Sequence, residues 1–138
     1  MKSRVSWHQE VSFVAESGSG HAMVVDGAPE HGGRNIGPRP MELILMGLGS
    51  CASFDVITIL KKQRQKITWC ECVVEAERAD TVPAVFTKIT MDFHLSGDNL
   101  DQGKVERAVT LSAKKYCSAS KMFEDAGIEL SYRVTLMS

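Results

Sequence analysis

The sequence predicts an α+β fold with an antiparallel or mixed sheet. Three observations lead there. Several segments alternate apolar and polar residues with the period of a strand. One long segment is apolar on nearly every helical face. The elements run strands, long helix, strands, helices, strand, without the regular alternation of a parallel α/β fold. The chain has 138 residues, which suits a single domain over 1–138 with a real but small core.

Residues 3–15 and 20–26 read as two strands, carried by Val5, Trp7, Val11, Phe13 and the run Ala22 to Val25, with Gly18-Ser19-Gly20 as the turn between them. Residues 27–40 form a loop full of breakers, among them Gly27, Pro29, Gly37, Pro38 and Pro40. A loop of that length points to function more than to connection. Residues 41–65 read as one helix. Pro40 marks its start, Glu42 favours the positive end of the macrodipole, and Lys61, Lys62, Arg64 and Lys66 favour the negative end. Such an apolar helix must be buried all round. A chain this small struggles to cover it alone, so a partner subunit is the simplest cover.

Residues 68–79 and 85–96 alternate as two further strands around Pro83. Asp98 and Asp101 are candidate caps for a helix over 102–116, where Val105, Ala108, Val109, Leu111 and Ala113 mostly fall at helical spacing. A short helix over 118–126 ends at Gly127, a good residue just past a helix end. Residues 128–136 alternate as a last strand.

Composition excludes several functions. Sixteen basic residues against seventeen acidic ones leave a formal charge of −1, without the clustered basic excess of a nucleic-acid footprint. Four cysteines are too few and too irregularly spaced for a disulfide scaffold. The N-terminus from Met1 to His8 lacks the apolar core of a signal peptide. The nearest candidate for a membrane span, Met41 to Leu60, is interrupted by Gly47, Gly49, Ser50, Ser53 and Asp55. No membrane association is expected. The default location is the cytoplasm, where thiols are reduced at rest.

The chemistry rests on thiols. Cys51 lies in the long helix and Cys117 in Lys114-Lys115-Tyr116-Cys117-Ser118. Two helical thiols form a reversible disulfide if the fold brings their Cα atoms to roughly 6 Å. The alternative reading, which spacing alone favours, is two small buried residues. Cys51 sits too far into its helix for the dipole to act on it, so activation needs another partner. Asp55, four residues on, shares its face and, if ionised, opposes thiolate formation. Cys117 has Lys114 and Lys121 at helical spacing, as thiolate partners or as a solvated face. Arg34 and Arg39 in the loop are candidates to fold over Cys51, or solvated loop charges. Cys70 and Cys72 share one side of a strand, but the scattered His8, His21, His31 and His94 supply no zinc-ligand spacing, so neither a metal nor a cofactor is expected. No serine triad or phosphate loop is present.

Two motifs resemble the OsmC/Ohr family, and most closely its YhfA-like branch. The first is Gly37-Pro38-Arg39-Pro40-Met41-Glu42-Leu43-Ile44-Leu45, followed by Gly49-Ser50-Cys51 and Asp55-Val56. The second runs from Ala113 to Ser120 around Cys117. The resemblance spans the whole chain. It implies an OsmC-like fold with sheets around a long buried central helix, an intertwined homodimer, and sites at the interface.

It also implies a thiol-dependent peroxidase that reduces organic hydroperoxides in oxidative-stress defence, with Cys51 as peroxidatic and Cys117 as resolving cysteine. A dithiol restores both thiols. Family peroxidases carry a glutamate where Met41 stands, with Glu42 one residue later here. They also use an arginine from the N-terminal strand region, and none occurs between Glu16 and His21. Ser118 stands where the family often has proline. Arg39 or Arg34, held by Glu42, are the candidates to replace the missing arginine. Met46, Leu48, Phe54, Met122 and Phe123 are candidates for an apolar wall that favours organic hydroperoxides over hydrogen peroxide. The rival expectations are a non-catalytic or weakly catalytic dimer that binds a small apolar or electrophilic ligand, and a structural dimer with inert thiols.

Overall fold

The computed structural model describes residues 1–137. The chain forms two compact units, Met1–Ile44 and Leu45–Ser138.

In the first unit, β1 (Ser3–Gln9), β2 (Ser12–Ser17) and β3 (Ala22–Val25) make an antiparallel sheet in sequential order. The single strand expected over 3–15 is thus two strands. Glu10 adopts φ 51° and Gln9 pairs with Ser12, so the chain reverses within one alternating run. A short hydrophobic run does not reveal a turn whose residues lack glycine or proline.

The loop that follows is tied to Asp26, which is buried. Its Oδ1 accepts the Gly27 N–H at 2.8 Å, and its Oδ2 accepts those of Arg34 at 2.9 Å and Ile36 at 3.4 Å. The Arg34 N–H holds the Asp26 carboxyl below the usual range, against the opposing effect of burial. Nothing in the spacing of the sequence marks this aspartate as an anchor.

Helix α1 spans Pro40–Lys62. Proline is tolerated at its first position, and the Glu42 carboxylate accepts the Arg39 backbone N–H at 2.8 Å, closing the end. The helix stops three residues before the expected end, because Arg64 takes a left-handed φ of 58°.

In the second unit, β4 (Lys66–Arg78), β5 (Phe86–Asp98) and β6 (Glu129–Leu136) form a mixed sheet in that order. β4 and β5 are antiparallel, whereas β5 and β6 are parallel. The helices α2 (Gln102–Leu111) and α3 (Ser118–Asp125) lie in the crossover between β5 and β6. Asp101 caps α2 by accepting the Lys104 N–H at 2.9 Å. The helix expected over 102–116 ends at Leu111. Residues Ser112–Tyr116 form a π turn, closed by the Cys117 N–H on the Ser112 carbonyl at 2.7 Å. Gly127, at φ 84°, follows α3 as expected.

The core of this unit has two periodicities. Leu48, Ala52, Val56 and Leu60 are buried at every fourth residue of α1, and Ile89, Met91, Phe93 and Leu95 at every second residue of β5. Each large side chain so buried contributes about 1.5–3 kcal/mol. α1 packs closely on β4: a Cβ at Gly49 would meet Val74 Cγ2 at 2.9 Å. Other faces of α1 are open, with Met46 and Phe54 exposed. The expectation of burial all round is therefore not met by this chain alone.

Candidate active site

Cys51 and Cys117 come together. Their sulfurs and a carboxyl oxygen of Asp55 all lie within 4.8 Å of one another. Cys51 and Asp55 sit one turn apart on α1, and Cys117 stands where the π turn hands over to α3. The hydroxyl of Ser112, at the start of that turn, donates to the Ala52 carbonyl at 2.8 Å. This buried bond ties the second cysteine's segment to the helix of the first. π turns of this kind are frequent at functional sites.

Cys117 is buried and Cys51 half-buried. Burial pushes the Cys117 thiol up, and the neighbouring Cys51 adds to the rise. Ser120 opposes it through its side chain and through its backbone N–H, which donates to the sulfur at 3.4 Å. The sulfur thus caps α3, so the groups that favour its thiolate come from the helix start. The lysine partners considered from sequence do not act there. Lys114 and Lys121 are exposed, and Lys121 donates to Asp125 at 2.7 Å. Behind Cys117 lie the Ser120 Oγ and the Tyr132 hydroxyl, both buried and neither in a well-formed hydrogen bond. Burial raises the Tyr132 pKa, with the Ser120 side chain opposing. Neither residue stands out in the sequence, since β6 reads simply as an alternating strand.

Asp55 is half-buried, and burial raises its carboxyl pKa. None of the ion pairs among the described residues involves it. No fourth donor joins Cys51, Asp55 and Cys117 among the described residues, short of the four ligands of a closed zinc site.

The other cysteines sit apart from this chemistry. Burial, with Cys70 beside it, pushes the Cys72 thiol up to about 12, while a hydrogen bond with Ser53 works the other way. Cys70 borders a groove of about 610 Å³ with Ser53, Phe54, Ile57 and Trp69. Phe54 therefore faces that groove. Leu48, at 1% exposure, is core and forms no part of an apolar wall. Arg34, Arg39 and Glu42 belong to the first unit and make local contacts: the backbone N–H of Arg34 anchors on Asp26, and Glu42 holds the Arg39 backbone rather than its guanidinium.

Residues 31–133 match the family described as OsmC-like protein. The chain belongs to the OsmC-like family. It is 42% identical over 135 residues to Protein YhfA of Escherichia coli strain K12, covering 97% of this chain and 98% of that one. A solved structure of a hypothetical protein from Aquifex aeolicus VF5 is 27% identical, with a TM-score of 0.82 over 99% of this chain and 97% of that one. The organic hydroperoxide resistance protein OhrB of Bacillus subtilis shares the fold, with a TM-score of 0.64 at 17% identity over 98% of each chain. At that identity the likeness to OhrB shows the fold alone. Helix α1 is long and apolar enough to cross a membrane, with a mean hydropathy of 2.0. In the OsmC-like fold this helix is a core helix.

Proposed function

We propose that this OsmC-like chain is a thiol-dependent peroxidase that reduces organic hydroperoxides, as a cytoplasmic homodimer of single-domain subunits. One observation carries the reading: the Cys51 and Cys117 sulfurs lie within 4.8 Å across 66 residues of sequence. A disulfide needs sulfurs about 2.05 Å apart, so side-chain rotation and a small shift close the gap.

The Cys51 thiolate attacks the distal oxygen of the hydroperoxide. The O–O bond breaks, an alcohol leaves, and Cys51 becomes a sulfenic acid. The Cys117 sulfur then attacks the Cys51 sulfur, expels water and forms the disulfide. Two thiols of a cellular dithiol return both cysteines to the reduced state. The half-exposed Cys51 meets the substrate, and the buried Cys117 waits behind it. Arg39 or Arg34 would steady the peroxide oxygen. The exposed apolar Met46 and Met122 suit an alkyl group better than hydrogen peroxide. A homodimer would cover the open faces of α1.

The test treats the reduced protein with one equivalent of tert-butyl hydroperoxide, blocks the remaining thiols and measures mass. Two thiols should disappear in the parent protein, and none in Cys51→Ser. An unchanged thiol count in the parent would exclude the peroxidase and favour a dimer that binds a small apolar or electrophilic ligand.

A further inference from the structure

Asp55 has a place in the cluster that the two-cysteine scheme leaves unused. Its carboxyl reaches within 4.8 Å of both sulfurs, not of Cys51 alone. The one-turn spacing on a helix holds it beside Cys51, and the Ser112–Ala52 bond brings Cys117 to the same place. A carboxylate kept for structure is usually paired, as Asp26 is by three backbone N–H groups. Asp55 has no cation partner among the described residues. Half-burial makes its protonated form easier to reach than that of an open carboxylate. A carboxyl able to hold or release a proton therefore sits beside two thiols.

The chemistry needs such a group twice. The first oxygen to leave is an alkoxide, the second a hydroxide, and both require a proton. Each attacking sulfur begins as a thiol and must lose one. For Cys117 that loss is hard, because the residue is buried at 3% exposure.

We propose that Asp55 is the proton-transfer group of this site, carrying one proton from thiol to departing oxygen in each step. In the first step the Asp55 carboxylate takes the Cys51 proton. The thiolate forms an S–O bond, the O–O bond breaks, and Asp55 gives the proton to the alkoxide, which leaves as alcohol. In the second step the carboxylate takes the Cys117 proton. The S–S bond forms, the S–O bond breaks, and Asp55 protonates the hydroxide, which leaves as water. Asp55 ends each step as it began. The first step rests on the peroxidase reading for its oxidant. The second can be examined without a peroxide.

Two assays in a Cys70→Ser, Cys72→Ser background separate these claims. In a single turnover with tert-butyl hydroperoxide, Asp55→Asn should form the Cys51–Cys117 disulfide about 100-fold more slowly, the usual scale of general acid–base catalysis. Added formate should restore part of the rate, because a small carboxylic acid replaces the lost proton carrier but cannot replace a packing contact. In the second assay, methyl methanethiosulfonate converts Cys51 to its methyl disulfide, and Cys117 then expels methanethiol to close the native bridge. This closure should slow in Asp55→Asn and recover with formate. If the parent ignores the hydroperoxide yet shows this Asp55 dependence, the peroxidase reading fails and the proton-transfer role stands. If Asp55→Asn matches the parent in both assays, or is slowed in both without rescue by formate, the role assigned to Asp55 is wrong while peroxide reduction by the parent is untouched.

Discussion

The hydroxyl of Ser112 donates to the carbonyl of Ala52 at 2.8 Å in a buried setting. This one bond joins the start of the π turn to the turn of α1 that carries Cys51. It links two segments 60 residues apart at the point where the two thiols converge. A buried hydrogen bond contributes about 1 kcal/mol net, and an orphaned partner costs about 1–3 kcal/mol. The approach of the two cysteines is thus built into the packing.

The four thiols should differ widely in reactivity. With its pKa at about 12 rather than the ordinary 9.0, Cys72 carries roughly 1,000-fold less thiolate near pH 8, by the tenfold-per-unit relation of acid dissociation. Timed alkylation with iodoacetamide and peptide mass analysis should label Cys51 early and Cys72 last. Cys72→Ser should leave peroxide consumption intact. Early labelling of Cys72 would contradict its half-buried place beneath α1.

Asp26 should set the acid limb of stability. Its folded pKa lies below the unfolded value of about 3.9. Its contribution is therefore present above the unfolded pKa and lost as pH falls through the folded one. Asp26→Asn turns one acceptor into a donor facing backbone N–H groups. The variant should melt at a lower temperature at pH 7, with the difference shrinking towards pH 2. Equal melting of both proteins at pH 7 would contradict the anchoring of the loop.

Asp55 carries the opposite sign. Its folded pKa is raised by burial, so its contribution favours folding below the unfolded pKa and is lost as pH rises through the folded one. At neutral pH the ionised carboxyl opposes folding. Asp55→Asn should raise the melting temperature more at pH 7 than at pH 3, while slowing disulfide formation. A variant less stable at pH 7 than the parent would mean that Asp55 is a structural partner.

Arg39 is exposed, and its guanidinium makes no ion pair among the described residues. If it steadies the peroxide oxygen, Arg39→Ala should slow Cys51 oxidation by about 100-fold, the scale of losing one preorganised donor to a developing oxyanion. The Glu42 cap on the backbone remains in that variant, so the helix start is preserved. Stopped-flow oxidation rates that move with Arg34→Ala instead would transfer the role to Arg34.

Much of this was legible in the residues. The alternation of β4, β5 and β6 and the cap at Asp101 follow from local periodicity and turn chemistry, which sequence carries directly. The two candidate cysteines were visible through their motifs. The reversal at Glu10 was not, because a left-handed residue that is neither glycine nor asparagine leaves no mark. The π turn at Ser112–Tyr116 was also hidden: its residues fit helical spacing, and only the long-range bond to Ala52 shows what holds the turn against α1. Asp55 appeared from sequence as an obstacle to thiolate formation. Its approach to Cys117 as well as Cys51 is a tertiary fact, and it changes what the carboxyl can do.

The most direct test of the account is the position of the disulfide. The reduced protein is treated with one equivalent of tert-butyl hydroperoxide, alkylated, and digested with trypsin without reduction. The account predicts one linked pair, residues 35–61 containing Cys51 joined to residues 116–121 containing Cys117, lighter than the sum by two hydrogen atoms and separated by dithiothreitol. A bridge to Cys70 or Cys72, or four alkylated cysteines after oxidation, would contradict it.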